Sequence, residues 1–179
     1  MTRDLSIIIV NYNSGELLRN CLQSIERELS VDYEVIVVDN ASSDDSIALC
    51  AIYNGNPRFR FITLKRNDGF AKGCNIGADN ATGQILHFLN PDTELRPGIN
   101  NDYLTALSSP DNVYVNPLVN RDGSIENGKM VMPVLGDIFW WNVCRSRARF
   151  WCKGASVILS AENFEKLGRW SEDYFMYGE

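Results

Sequence analysis

An excess of cations is missing from this chain of 179 residues, in which 17 Lys and Arg stand against 23 Asp and Glu for a formal charge of −6. Duplex-nucleic-acid binders neutralise phosphates with grouped Lys and Arg, so the composition argues against DNA or RNA as a partner. Long apolar runs are missing too. Met1 to Asp4 carry one Arg and no apolar stretch of the kind a secretory leader needs, and Ile7 to Val10 is far too short to cross a bilayer. The expected location is cytoplasmic. Five scattered cysteines (Cys21, Cys50, Cys74, Cys144, Cys152) contain no C-x-x-C pair and read as reduced thiols, without a zinc site. The one histidine, His87, lies among Leu86, Phe88 and Leu89 with no evident metal or nucleophile partner. It reads as a packed, hydrogen-bonded residue, and no Ser-His-Asp relay can be assembled around it.

What is present suffices for one core. Apolar residues make up 45% of the chain, which predicts a single domain over 1–179 without disulfide or metal staples. Leu5 to Val10 and Val35 to Val38 are apolar runs rich in β-branched residues, the signature of parallel strands buried on both faces. Between them Leu17, Leu18, Cys21, Leu22, Ile25 and Leu29 recur at helical spacing after Ser14, a plausible N-cap. The rhythm continues with a helix over Ser43 to Ile52, a strand over Phe59 to Leu64, a helix over Phe70 to Asn80 and a strand over Ile85 to Leu89. The fold class is α/β, with a mostly parallel central sheet flanked by helices. From Tyr114 the rhythm breaks: Asn120 to Gly123 predicts a hairpin, a Trp/Arg-rich stretch covers Phe139 to Trp151, and a strand (Ala155 to Leu159) and short helix (Ala161 to Leu167) follow. The change near Leu107 divides the domain functionally into 1–107 and 108–179.

Ligands of open parallel sheets bind at the carboxyl ends of the strands. Four polar segments fall there: Asn11-Tyr12-Asn13, Asp39-Asn40-Ala41-Ser42, Asn67-Asp68-Gly69 and Asn90-Pro91-Asp92-Thr93. Tyr12 can stack on a nucleobase and Asp39 can accept from a ring N–H or a ribose hydroxyl; the alternative is a core tyrosine and an Asp that caps its own turn. Asn67 to Gly77 opens a helix with Gly and small residues, which suits a diphosphate at the helix N-terminus. It matches neither G-x-G-x-x-G nor G-x-x-x-x-G-K-[ST], and Gly73 and Gly77 serve equally to bring a helix close to its neighbour. Asn90-Pro91-Asp92 is either an ordinary turn or a rigid mount for a carboxylate on a hard divalent cation. Trp140, Trp141, Arg145, Arg147, Arg149, Phe150 and Trp151 read as a core-covering lid or as a surface for anionic lipid or sugar phosphate; on a helix Trp140, Cys144, Ala148 and Trp151 share a face.

Taken in order, Ser6 through Asn13, Val37 through Ser42, Asn67 through Gly77, Leu89 through Glu94 and Asp173 through Glu179 resemble family 2 glycosyltransferases of the GT-A fold, above all the rhamnosyltransferase-like group. The resemblance implies an inverting enzyme that moves a sugar from a UDP- or dTDP-sugar to a glycan or lipid-linked acceptor in surface polysaccharide synthesis. By the same resemblance Val10, Tyr12 and Asp39 line the nucleobase and ribose pocket, with Asn11 beside them. Asn67, Gly69 and Asn75 approach the sugar diphosphate, and Asp92 ligates Mg²⁺ or Mn²⁺. Asn90 replaces the first Asp of the family's Asp-x-Asp-like pattern, leaving one anionic ligand fewer. The family's acceptor base is an Asp that follows a Glu matching Glu179, so the chain is expected to be truncated just before it, with Glu179 the catalytic residue it retains and Asp173 a weaker substitute. The rivals are a silent nucleotide-sugar or carbohydrate-binding module and a sugar nucleotidyltransferase. The latter lacks its Gly-rich, Lys/Arg-bearing loop at Asn11 to Gly15.

Overall fold

The computed structural model describes residues 3–120, 122–126, 129–132, 149–152, 154–173 and 175. Two compact units emerge, Met1–Tyr114 together with Ala155–Glu179, and Val115–Gly154. In the first, β1 (Leu5–Asn11), β2 (Tyr33–Asp39), β3 (Phe59–Thr63), β4 (Ile85–Leu89), β5 (Val113–Val115) and β10 (Ser156–Ser160) form a sheet in the order β3-β2-β1-β4-β10-β5. The four strands from β3 to β4 run parallel, whereas β10 runs antiparallel to β4. The expected α/β class, with a mostly parallel sheet, is present.

The unbroken apolar runs follow from cover on both faces. Along β1, Leu5, Ile7 and Ile9 join a core with Leu18, Cys21, Leu22 and Ile25 of α1 (Glu16–Glu28) and with Ile99, Tyr103 and Ala106 of α4 (Ile99–Ser108). The alternate residues Ile8 and Val10 join a second core with Cys74 of α3 (Phe70–Asp79) and Phe164 of α5 (Ala161–Lys166). Each fully buried Ile or Leu contributes about 1.5–3 kcal/mol, so a strand with both faces covered has no position to spare for solvent-facing residues. On α3, an added Cβ at Gly73 would lie 2.8 Å from Val10 Cγ1, and one at Gly77 would collide with Ile8 Cγ2. Of the two readings of these glycines, close packing is the one this geometry displays.

Two expectations need correction, and one element is new. Gly15, not Ser14, is the N-cap of α1: it takes φ 53°, a region open to glycine, and Ser14 contributes only its carbonyl to the Leu17 amide at 3.0 Å. The helix expected over Ser43 to Ile52 shrinks to α2 (Ser46–Leu49) and a 3₁₀ turn at Ala51–Tyr53. The reason is that Asn13 Oδ1 accepts from the amides of Ser43 and Asp44 at 2.8 and 3.3 Å, which keeps them in a loop. Helix α4 was not foreseen, although Ile99, Tyr103 and Ala106 show i, i+4, i+7 burial.

In the second unit β6 (Leu118–Val119) and β7 (Ile125–Glu126) pair antiparallel, and the Asn120 and Gly123 amides bond to Ser124 and Asn120 carbonyls, both at 2.9 Å. That is the expected hairpin. Strands β8 (Lys129–Met132) and β9 (Arg149–Cys152) also pair antiparallel. Arg149, Phe150 and Trp151 are therefore in a strand, which removes Trp151 from the proposed helical face. Trp140, Trp141, Cys144, Arg145, Arg147 and Ala148 lie outside the described residues. Among the described residues no helix is long and apolar enough to cross a membrane.

Cys21, Cys50 and Cys74 are buried thiols, and burial raises the Cys21 and Cys50 thiols, the latter to about 11. His87 is wholly buried, with the Tyr103 hydroxyl 2.8 Å from Nδ1 and the Ser156 hydroxyl 2.8 Å from Nε2. Burial lowers its pKa to about 3, so the ring is neutral.

Candidate active site

Register brings the first two strand-end motifs together. Asn11 of β1 pairs with Asp39 of β2, and Asp39 with Thr63 of β3, so three strands end at one level. Side chains then cross-link the loops. Asn11 is fully buried, and its Nδ2 lies 2.8 Å from Asp39 Oδ1, 2.9 Å from Ser46 Oγ and 3.0 Å from Ser42 Oγ. Asp39 Oδ2 accepts from the Ser42 amide at 3.2 Å, so Asp39 does cap its own turn. Each carboxylate oxygen still has a second lone pair. Farther out, the Asn13 amide donates to Ser42 Oγ at 2.9 Å, and the Gly15 amide donates to Asp44 Oδ2 at 2.8 Å. Hydrogen bonds from Ser46 and from the Gly15 amide hold the Asp44 carboxyl below its ordinary value.

Tyr12 stands on this lattice with 51% of its surface exposed, which is not a core position. Val10, by contrast, is buried, with its methyl groups against Gly73 of α3. The third motif is tied in through Asn40, whose Nδ2 donates to the Gly69 carbonyl at 2.9 Å. Asn67 Oδ1 accepts from the Gly69 amide at 3.0 Å, shaping the entry to α3. Asp68 bonds to Arg66 Nε at 2.6 Å and pairs with Lys72 Nζ at 3.3 Å. Burial raises its carboxyl, but Lys72 and Arg66 outweigh that and leave it below its ordinary value.

Asn75 and Gly69 face an element that sequence reasoning did not connect with them. Asn75 Nδ2 donates to the Trp170 carbonyl at 3.0 Å and to Glu172 Oε1 at 2.8 Å, and its Oδ1 accepts from the Trp170 amide at 3.2 Å. The Phe70 amide donates to the Phe175 carbonyl at 3.2 Å, and a Cβ on Gly69 would lie 2.6 Å from that oxygen. No local pattern signals a contact between residues this far apart.

The fourth motif leaves the sheet at the same end, since β4 is in register with β1 at Ile8↔Phe88. The Asn90 amide bonds to the Ala155 carbonyl at 2.9 Å, and the Asn90 carbonyl accepts from Thr93 Oγ1 at 2.7 Å and from Cys21 Sγ at 3.8 Å. Asn90 is half-buried and Asp92 exposed. Neither joins the Asn11–Asp39 lattice. Among the described residues no group of three or more His, Cys, Asp or Glu could hold a metal. Asp173 is exposed and accepts from Ser171 Oγ at 3.5 Å, while Glu179 lies outside the described residues. A cavity of about 370 Å³ lined by Gln84, Ile85, Pro110 and Glu162 opens beside Ile85, at the amino end of β4, away from these motifs.

Four parallel strands with β10 antiparallel beside them, helices on both faces and polar loops at the carboxyl ends make an α/β domain of the GT-A class. Among solved structures, Staphylococcus aureus TarS 1-349 in complex with UDP matches 96% of this chain and 51% of its own, with a TM-score of 0.71 and 16% identity. The complex of the same protein with UDP-GlcNAc matches 92% of this chain and 47% of its own, with a TM-score of 0.68. Residues 6–164 match the family described as Glycosyl transferase family 2, and the chain belongs to that family. Relatives include a teichoic acid poly(glycerol phosphate) polymerase of Staphylococcus epidermidis, 33% identical over 60% of this chain, and the uncharacterized glycosyltransferase YfnE of Bacillus subtilis, 33% identical over 62%. The chain spans 15% and 28% of the lengths of those two relatives.

Proposed function

We propose that these residues form the donor-binding domain of an inverting glycosyltransferase that uses a UDP- or dTDP-sugar and serves surface polysaccharide synthesis, with a glycan or lipid-linked acceptor. The observation that carries this reading is the pairing of an exposed ring, Tyr12, with a buried and fixed carboxylate, Asp39, at the carboxyl edge of adjacent strands. The ring supplies a stacking face and the free lone pairs of Asp39 accept from a base N–H or ribose hydroxyl. Family membership and the nucleotide-bearing TarS complexes support it. The rhamnosyltransferase-like grouping belongs to the same proposal.

Asp92 and Asn90 offer oxygen donors, the chemistry that hard Mg²⁺ or Mn²⁺ prefers. One carboxylate suits a cation shared with substrate phosphates, because such ions keep few protein ligands. Bound there, it would offset charge on the departing nucleoside diphosphate. Acceptor deprotonation is assigned to the carboxylates at and after Glu179 in the family pattern. The domain acts as one functional body, with 1–107 on the donor side and 108–179 on the acceptor side. Its place of action is the cytoplasmic face of the membrane, with the Trp/Arg-rich stretch as the contact.

Titration calorimetry with UDP and dTDP, each with Mg²⁺, Mn²⁺ or chelator, tests this. Cation-dependent binding of one nucleotide, weakened in Tyr12→Ala and Asp39→Ala, is expected. Absence of nucleotide binding under every condition would overturn the reading. Binding without sugar transfer or donor hydrolysis in the full-length protein would assign it to a silent nucleotide-sugar module instead.

A further inference from the structure

The returning segment Arg169–Asp173 is fastened to α3 through Arg169, Trp170 and Glu172. Arg169 Nη2 bonds to Asp79 Oδ1 at 2.6 Å and to the Asn75 carbonyl at 3.0 Å. The Trp170 ring stands edge-on to Phe88 and to Phe70, with centroids 5.3 and 5.8 Å apart. Asn75, only 7% exposed, grips both backbone groups of Trp170 and the Glu172 carboxylate. Beyond Asp173, Phe175 places its carbonyl on the Phe70 amide, over a glycine that has no side chain to obstruct it.

We infer that Asn75 is a positioning residue: it sets the course of the chain from Trp170 to Glu172, and with it the Phe175 carbonyl at the start of α3. Gly69 and Asn75, both of which resemble donor-phosphate contacts by motif, then serve the acceptor side of the protein. Both amide hydrogens of Asn75 and its carbonyl oxygen are committed to the segment, so no donor hydrogen remains for a phosphate. The coupling runs from α3 through the segment and back to α3. Its catalytic consequence rests on the glycosyltransferase reading, because that reading places acceptor activation farther along the same stretch.

Asn75→Asp tests the grip. The substitution keeps the acceptor for the Trp170 amide but turns a carboxylate oxygen toward the Trp170 carbonyl and Glu172, a like-charge contact. Glu172→Gln supplies an amide that can donate to the carboxylate introduced by Asn75→Asp, so the double variant regains the link between these two positions with donor and acceptor exchanged, while the Trp170 carbonyl still lacks its donor. Hydrogen exchange of the Phe70 amide is the first readout, with the Ile36 amide in the middle of β2 reporting global opening. Asn75→Asp is expected to speed Phe70 exchange by about tenfold relative to Ile36, Glu172→Gln to leave it unchanged, and the double variant to restore part of the protection. Unchanged Phe70 exchange in Asn75→Asp, or no recovery in the double variant, would overturn the positioning role.

The second readout is functional. In the full-length protein, Asn75→Asp is expected to lower turnover by about tenfold while the UDP dissociation constant moves less than about twofold. A loss of UDP affinity as large as the loss of turnover would reassign Asn75 to the donor site and sink the inference. If the unsubstituted protein binds no nucleotide, the glycosyltransferase reading fails by itself, and the exchange data still decide whether Asn75 positions the segment.

Discussion

Asn11 Nδ2 stands 2.8 Å from Asp39 Oδ1, joining through side chains two strand ends that the sheet already pairs in register. A buried carboxylate is thereby held in one orientation at the strand end that leads into the exposed Tyr12.

Asn11→Ala should strip that partner from a carboxylate that is 2% exposed. Leaving one buried carboxylate oxygen without its donor costs about 1–3 kcal/mol, so the urea midpoint should fall measurably. Asp39→Ala should weaken UDP binding about tenfold or more, because a hydrogen bond to a charged group is worth about 1.5–3 kcal/mol. A midpoint unchanged in Asn11→Ala would show that the lattice does not hold Asp39.

Gly77→Ala should push α3 away from β1, since the new methyl meets the Ile8 side chain. Overpacking of this kind costs about 1–3 kcal/mol. Denaturant melts of Gly77→Ala and of Gly83→Ala, whose Cβ would lie 2.5 Å from the Ser6 amide, should both show lowered midpoints. Wild-type stability in either would mean that the helix or loop yields without penalty.

The neutral core His87 should make the fold acid-sensitive. Its pKa drops from 6.5 in the unfolded chain to about 3 in the folded one, so between those values only the unfolded state takes up the proton. This contribution is flat above pH 6.5 and is lost as pH falls toward 3, by up to about 1.4 kcal/mol per pH unit. Stability measured from pH 7 to 4 in the protein and in His87→Gln, a neutral hydrogen-bonding replacement, should show the steeper slope only where the histidine is present. Parallel slopes would refute the assignment.

Asn90→Asp should strengthen cation binding by adding an anionic oxygen beside Asp92, and Asp92→Ala should remove cation dependence from nucleotide binding. Calorimetry with Mn²⁺ and UDP distinguishes the pair. Equal Mn²⁺ dependence in all three proteins would place the cation elsewhere.

The sheet was legible because burial on both faces leaves a mark on every residue of a strand: Leu5 to Val10 and Val35 to Val38 admit no other reading in a chain of this composition. The strand-end motifs were legible for the same reason, since the end of an apolar run marks the edge of the sheet. Helix α2 was overread because its first amides are claimed by Asn13, a residue of another loop. Helix α4 was missed because polar Asn100, Asn101 and Thr105 dilute a buried stripe of Ile99, Tyr103 and Ala106.

By itself the sequence determined the α/β class, the parallel core and the family, because periodicity and ordered motifs are local properties carried along the chain. Only the tertiary structure decided which partners the polar residues took. Asn75 meets Trp170 and Glu172, and Gly69 meets the Phe175 carbonyl, because the segment after α5 returns across the start of α3. Hydrogen bonds to distant backbone groups leave no signature in residue type. Residue type alone leaves the same glycine and asparagine open to a phosphate or to the chain, and the chain path supplies the contacts they make.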